Sequence, residues 1–183
     1  MLNQNLSFLR EILHICCPDG SLDYTTERLR TLAKRQVAPM GSVMTAPSPA
    51  WPLQTRLPLA ALPTAPSVAR GHVRVIAREW GLADLADTAE LLVSELVTNA
   101  VQASAKLRTV GPPVIHLWVT SDRVSMVIHV WDASGEMPVR RDADEHDEDG
   151  GRGLLLVETL GKDWGAYRKA DGKVVWCLIT SEP

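Results

Sequence analysis

Long apolar runs are missing from this sequence, and so is any excess of basic charge. No stretch is apolar for the roughly 18 residues that a membrane-spanning helix needs. The start of the chain has no basic region leading into a clean apolar run and a small-residue cleavage site, so no signal peptide is read. The formal net charge is -3, which gives no electrostatic footprint for nucleic acid or an anionic membrane surface. Cysteine is scarce: Cys16, Cys17 and Cys177 are an odd, poorly spaced set. With no second ligand pair at finger-like spacing after His14, Cys16 and Cys17, a zinc site is not expected. A reduced, cytoplasmic protein is the simplest reading. No internal repeat is visible.

What is present falls into two kinds of material. Residues 1–43 hold two short helical patterns around "CPDG", with Leu6, Leu9, Ile12 and Leu13 on one weak face and Leu29 with Leu32 on another. They read as a loosely ordered N-terminal extension, followed at 44–50 by a linker rich in proline and alanine. A chain beginning at Met44 is expected to fold and to keep its ligand site.

From Trp51 to the end at 183 the signals are those of one domain. "LQTRLPLA" reads as an edge strand, because its proline, Pro58, bars it from a sheet centre. "APSVARGHVRVIAREWG" has Val68, His72 or Val73, Val75 or Ile76, and Trp80 at helical spacing and closes at Gly81. Asp84 suits the N-cap of a second helix, in which Leu85, Ala89, Leu92, Leu96, Ala100 and Ala103 form a core stripe. After Pro112 and Pro113 the period becomes two, giving strands "VIHLWV" and "VSMVIHVWD" that end at Asp132. An acidic loop, a short helix "LLLVETLG" and a last hairpin turning at Asp171-Gly172 follow. Strand, helix, helix, two strands, loop, helix, two strands predicts an α+β two-layer sandwich, with helices on one face of a mixed β-sheet.

Three features invite chemistry. Glu95 and Asn99 in "SELVTNAVQAS" are four residues apart and project from one side of the second helix, at the flank of its core stripe beside Thr88 and Gln102. Asp132 ends an apolar strand. Gly150, Gly151 and Gly153 lead directly into a helix. A glycine-rich turn before a helix offers backbone N–H groups and a positive dipole end to phosphates. An asparagine carboxamide oxygen is a neutral, hard ligand for the Mg²⁺ that accompanies them. A carboxylate in an apolar pocket accepts from the exocyclic amine of adenine and repels the carbonyl of guanine. A second carboxylate near the metal can orient or deprotonate an attacking hydroxyl. Taken singly, each feature is more often ordinary: a packing turn, a solvated flank, a strand-end acid.

Together and in this order they resemble the ATP-binding domain of the GHKL superfamily, which includes gyrase, histidine kinases and MutL. "ELVTNAV" is similar to its N-box, with Glu95 and Asn99 in the expected places. "VWDASGEMP" resembles the adenine-binding G1 box through Asp132. "GRGLLLVETLGKDWG" looks like the phosphate-binding G2 box, and "GKVVW" like the closing strand. The small, free-standing branch of anti-sigma factor serine kinases is the nearest in pattern. The resemblance implies a Bergerat-type fold, ATP with Mg²⁺, Glu95 as catalytic base and Asn99 as metal ligand. It implies nucleotide contacts at Asn99, Asp132, Gly135, Gly151, Arg152, Gly153 and Leu154. It also implies a homodimer whose partners are a STAS-type anti-anti-sigma protein and a sigma factor.

Two positions depart from the family pattern. The G1 box is usually D-x-G-x-G, and here only Gly135 remains, shifted by one place. The closing strand commonly carries a threonine near the adenine-binding acid; Val174 stands there, so one hydrogen bond to Asp132 is expected to be absent. Two functions follow: a protein serine kinase, or an ATP-dependent interaction switch with little or no turnover. A sensor histidine kinase fits less well, since no H-E-x-x-[TN]-P-like phosphoacceptor helix is seen.

Overall fold

The computed structural model describes residues 51–138, 152–169 and 172–181. The N-terminal extension, the linker, the acidic loop, Gly150, Gly151 and Asp171 lie outside the described residues. Strand β1 (Leu53–Ala60) leads into helix α1 (Ala65–Glu79), a 3-10 turn (Ala83–Leu85) and helix α2 (Ala86–Ser104). The hairpin of β2 (Val114–Ser121) and β3 (Ser125–Asp132) follows, then α3 (Arg152–Leu160), β4 (Asp163–Lys169) and β5 (Gly172–Thr180). This is the element order expected from the sequence.

The five strands form one sheet in the order β1-β2-β3-β5-β4. The sheet is not mixed as expected: all four neighbouring pairs are antiparallel. The reason lies in the last hairpin. Strands β3 and β4 run in the same direction, but β5 inserts between them and pairs with both, so no parallel pair ever touches. Strand β1, with Pro58 inside it, does occupy an edge, where a missing ladder N–H is tolerated.

One layer of helices covers one face of the sheet. Leu92, Val93, Leu96, Val97 and Ala100 of α2 pack with Ile115, Leu117, Ile128, Val130 and Val175 of the strands and Val157 of α3. Helix α1 buries Ala65, Ala69, Val73, Ile76 and Ala77. Of the positions offered for its stripe, Val73 and Ile76 are the buried alternatives, while Val68 and Val75 are exposed; small alanines fill the other buried positions and let α1 lie close to α2. Gly81 adopts φ +77 and ends α1 with Leu82 N–H donating to Ala77 O at 2.8 Å, the left-handed helix stop glycine favours. Asp84 does not cap α2. The 3-10 turn has already satisfied the leading N–H groups through its own backbone, with Leu85 N–H on Leu82 O at 3.0 Å, and no side-chain cap is formed.

The opposite face carries a smaller apolar cluster of Trp51, Val127, Tyr167, Val174, Trp176 and Leu178. Cys177 points to the helix side, and complete burial pushes its thiol up to about 12, so it is a packing group and not a nucleophile.

Gly172 was expected in the hairpin turn. It is instead the first residue of β5, paired with Lys169. A Cβ at this position would collide with the Asp132 carbonyl oxygen and stand 2.9 Å from the Trp131 indole. Neither a strand backbone nor a packed ring can yield cheaply. Gly172→Ala is therefore expected to destabilise the fold by about 3 kcal/mol or more, read as a lowered midpoint in urea unfolding.

Candidate functional site

A cleft of about 340 Å³ opens between α2, the start of α3 and the ends of β3 and β5. Val130, Val175, Leu96 and Ala100 make its apolar floor and side; Asn99, Asp132, Lys173 and Lys106 bring polar groups to it, and Gly153 and Leu154 close one end. Antiparallel order explains the convergence: β3 and β5 are adjacent, and the helix-side positions at their paired ends face α2.

Asp132 is buried to 1% exposure. Its Oδ1 accepts from Lys173 Nζ at 2.9 Å and from the Ser134 backbone N–H at 2.8 Å; neither bond engages Oδ2. The expectation that Val174 leaves Asp132 short of a hydrogen bond is corrected by the register. Asp132 pairs with Lys173 and Trp131 with Val174, so Val174 points into the cluster on the far face and Lys173 faces the acid. Sequence reasoning passed over Lys173 because the alternation of "GKVVW" assigns a face only once its partner on β3 is known.

Burial still pushes the Asp132 carboxyl above the usual aspartate range, and Lys173 and the Ser134 N–H offset that only in part. A pKa higher in the folded chain adds stability that is full below the unfolded value, near about pH 4, and is lost as pH rises through the folded value. The stability of wild type minus that of Asp132→Asn is thus expected to fall between about pH 4 and neutrality. Urea melts across that window check it; a difference that grows with pH would mean that Lys173 pairing outweighs burial.

Glu95 and Asn99 are half-buried on α2, with Thr88 also half-buried and Gln102 exposed. The start of α3 rests directly on the pair: a Cβ on Gly153 would stand 2.6 Å from Glu95 Oε2 and 3.6 Å from Asn99 Nδ2. A side chain there would take the place of the Glu95 carboxylate and push that group aside. Asn99 lines the cleft, while Glu95 sits behind Gly153 at its margin. Glu90, another acid of this helix, shows the contrasting arrangement. It is buried beside Arg74 of α1, whose guanidinium donates to both its oxygens and holds its carboxyl below the usual range. Among the described residues Glu95 has no such ion pair.

Gly135 is exposed and is not brought to the cleft wall; the neighbouring Glu136, Met137 and Pro138 line it instead. Lys106 Nζ reaches Glu136 Oε2 at 2.7 Å across the mouth, an exposed pair that sequence reasoning also missed. Gly151 and the side chain of Arg152 lie outside the described residues. Among those described, no group of three or more His, Cys, Asp or Glu could hold a metal ion. Asn99 with a nucleotide's own phosphate oxygens fits Mg²⁺, which binds through few protein ligands and keeps other oxygens.

Residues 59–179 match the histidine kinase-like ATPase domain family, and the chain belongs to it. That is the GHKL class, here on the helix-and-sheet sandwich described above. Comparison with curated protein sequences finds no significant match. Among solved structures, the RsbU and RsbW domains of Rv1364c from Mycobacterium tuberculosis are similar at 19% identity and a TM-score of 0.48. The match covers 70% of this chain and 32% of that one, so this chain spans about a third of the neighbour's length. No helix among the described residues is long and apolar enough to cross a membrane.

Proposed function

We propose that the chain binds Mg-ATP in this cleft and, in the manner of an anti-sigma factor serine kinase, phosphorylates a STAS-type antagonist protein and binds a sigma factor. The observation that carries this reading is the close approach of Gly153 to Glu95 and Asn99 at a cleft that the buried Asp132 also lines. The acid that would act, the amide that would hold metal and the helix start that would cradle phosphate meet within one turn.

The roles then follow from position. Asp132 Oδ2 accepts from the adenine amine while the ring lies against Val130, Val175 and Ala100. Asn99 supplies an oxygen to Mg²⁺, and the α3 start supplies backbone N–H groups to the phosphates. Mg²⁺ when bound neutralises charge on the transferring phosphoryl group. Glu95, at the cleft margin, accepts the proton of a seryl hydroxyl presented by a docked partner. The two-part division, a nucleotide domain over 51–183 preceded by an extension and linker, belongs to the same reading, as does a homodimer.

Incubation of the purified protein with labelled Mg-ATP and candidate STAS proteins tests it. Label on a partner serine is the expected result. ATP and partner binding without any transfer would replace the kinase by an occupancy switch, the reading favoured by the reduced G1 glycines.

A further inference from the structure

The lysine beside Asp132 is a second feature of the base end of the cleft. Buried lysines are rare unless paired, and Lys173 is 5% exposed with its ammonium on the cleft wall. It is held there by register, since Lys173 and Asp132 are direct partners across β5 and β3. The ammonium has three donors, and its hydrogen-bond partner among the described residues is Asp132 Oδ1 at 2.9 Å. The wall thus offers an acceptor, Asp132 Oδ2, and a donor, Lys173 Nζ, side by side.

Adenine presents the matching order along one edge: an amine donor at position 6 and, next to it, the N1 acceptor. Guanine presents the reverse, with a carbonyl at position 6 and an N–H at position 1. We propose that Lys173 is a specificity-determining residue that donates to N1 of adenine while Asp132 accepts from its amine. Asp132 alone would read one position of the base; with Lys173 the pocket reads two. Guanine in the same seat would set its carbonyl against the carboxylate and its N–H against the ammonium, leaving Asp132 Oδ2 and the remaining donors of Lys173 without a partner on the base, which is where polar pockets discriminate most strongly. The ion pair also lets an uncharged base enter without a net buried charge on the wall. This inference rests on the nucleotide reading and adds to it a residue of the closing strand.

The test titrates the full-length protein, with Mg²⁺ present, against ATP, 1-deaza-ATP (in which N1 is replaced by C–H) and GTP. The expected result is that 1-deaza-ATP binds about 10–100-fold more weakly than ATP, the cost of one hydrogen bond to a charged group. In Lys173→Met, ATP should weaken by a similar factor and ATP and 1-deaza-ATP should bind alike, while GTP stays weaker than ATP because its carbonyl still faces Asp132. Because that variant leaves Asp132 buried alone, folding is checked by circular dichroism, and the double variant Asp132→Asn with Lys173→Met serves if the single one does not fold. Equal affinity of wild type for ATP and 1-deaza-ATP, or a penalty that survives loss of Lys173, overturns the proposal while leaving ATP binding intact. Failure of wild type to bind ATP at all overturns the nucleotide reading and this inference with it.

Discussion

Glu95→Ala should retain Mg-ATP affinity and lose phosphoryl transfer to a protein substrate by about 10²–10⁴ in rate, the usual contribution of a general base. Glu95 sits behind Gly153 and off the cleft wall, so its removal takes nothing from the base or the metal ligand. Its half-buried place on α2, without among the described residues an arginine such as Glu90 has, is a poor arrangement for stability and a sensible one for a proton acceptor. Loss of the carboxylate should therefore cost the fold little. Single-turnover transfer measured beside nucleotide binding separates the two effects. Transfer that persists in Glu95→Ala removes the base assignment, and parallel loss of ATP binding would make Glu95 a binding residue instead.

The second large effect concerns Asn99, one turn further along α2 and on the cleft wall itself. Asn99→Ala should lose Mg-dependent ATP affinity by at least about 10–100-fold, since even residues that only support a metal ligand carry that much. The discriminating readout is the dependence on metal. Titration with ATP in Mg²⁺ and in chelator should differ for wild type and coincide for the variant. A polar helix flank with no site predicts that neither Asn99→Ala nor Glu95→Ala changes nucleotide affinity or transfer.

Much of this architecture was legible in local sequence. Pro58 marked β1 as an edge strand, the three-and-four spacing from Leu85 to Ala103 marked the buried side of α2, and Glu95 and Asn99 fell on its flank because a helix repeats faithfully over that length. What sequence hid is what depends on a distant partner. A mixed sheet was a fair expectation for two hairpins joined through a helix, but whether β5 or β4 lies against β3 is decided by long-range pairing. The buried face of α1 was legible only in part, through Val73 and Ile76, because Ala65, Ala69 and Ala77 give no strong apolar signal while exposed Val68 and Val75 do. The role of Lys173 was invisible for a related reason. Shifting β5 by one residue against β3 would exchange Lys173 for Val174 beside Asp132, and only the pairing of the two strands fixes that choice. Gly153 shows the same limit at the other end of the cleft: "GGRG" marks a helix start, but its contact with Glu95 exists only once α3 has docked on α2.

The most direct test of nucleotide binding at this cleft is the thermal unfolding of the full-length protein with Mg-ATP and with Mg-GTP. At a hundredfold excess over Kd a bound ligand adds about 2.7 kcal/mol of stability, a melting shift of about 5–10 °C for a chain of this size. The expected result is that shift with Mg-ATP and a much smaller one with Mg-GTP. Equal shifts with both would contradict the reading of Asp132 as the adenine acceptor, and no shift at millimolar Mg-ATP would contradict the site as a whole.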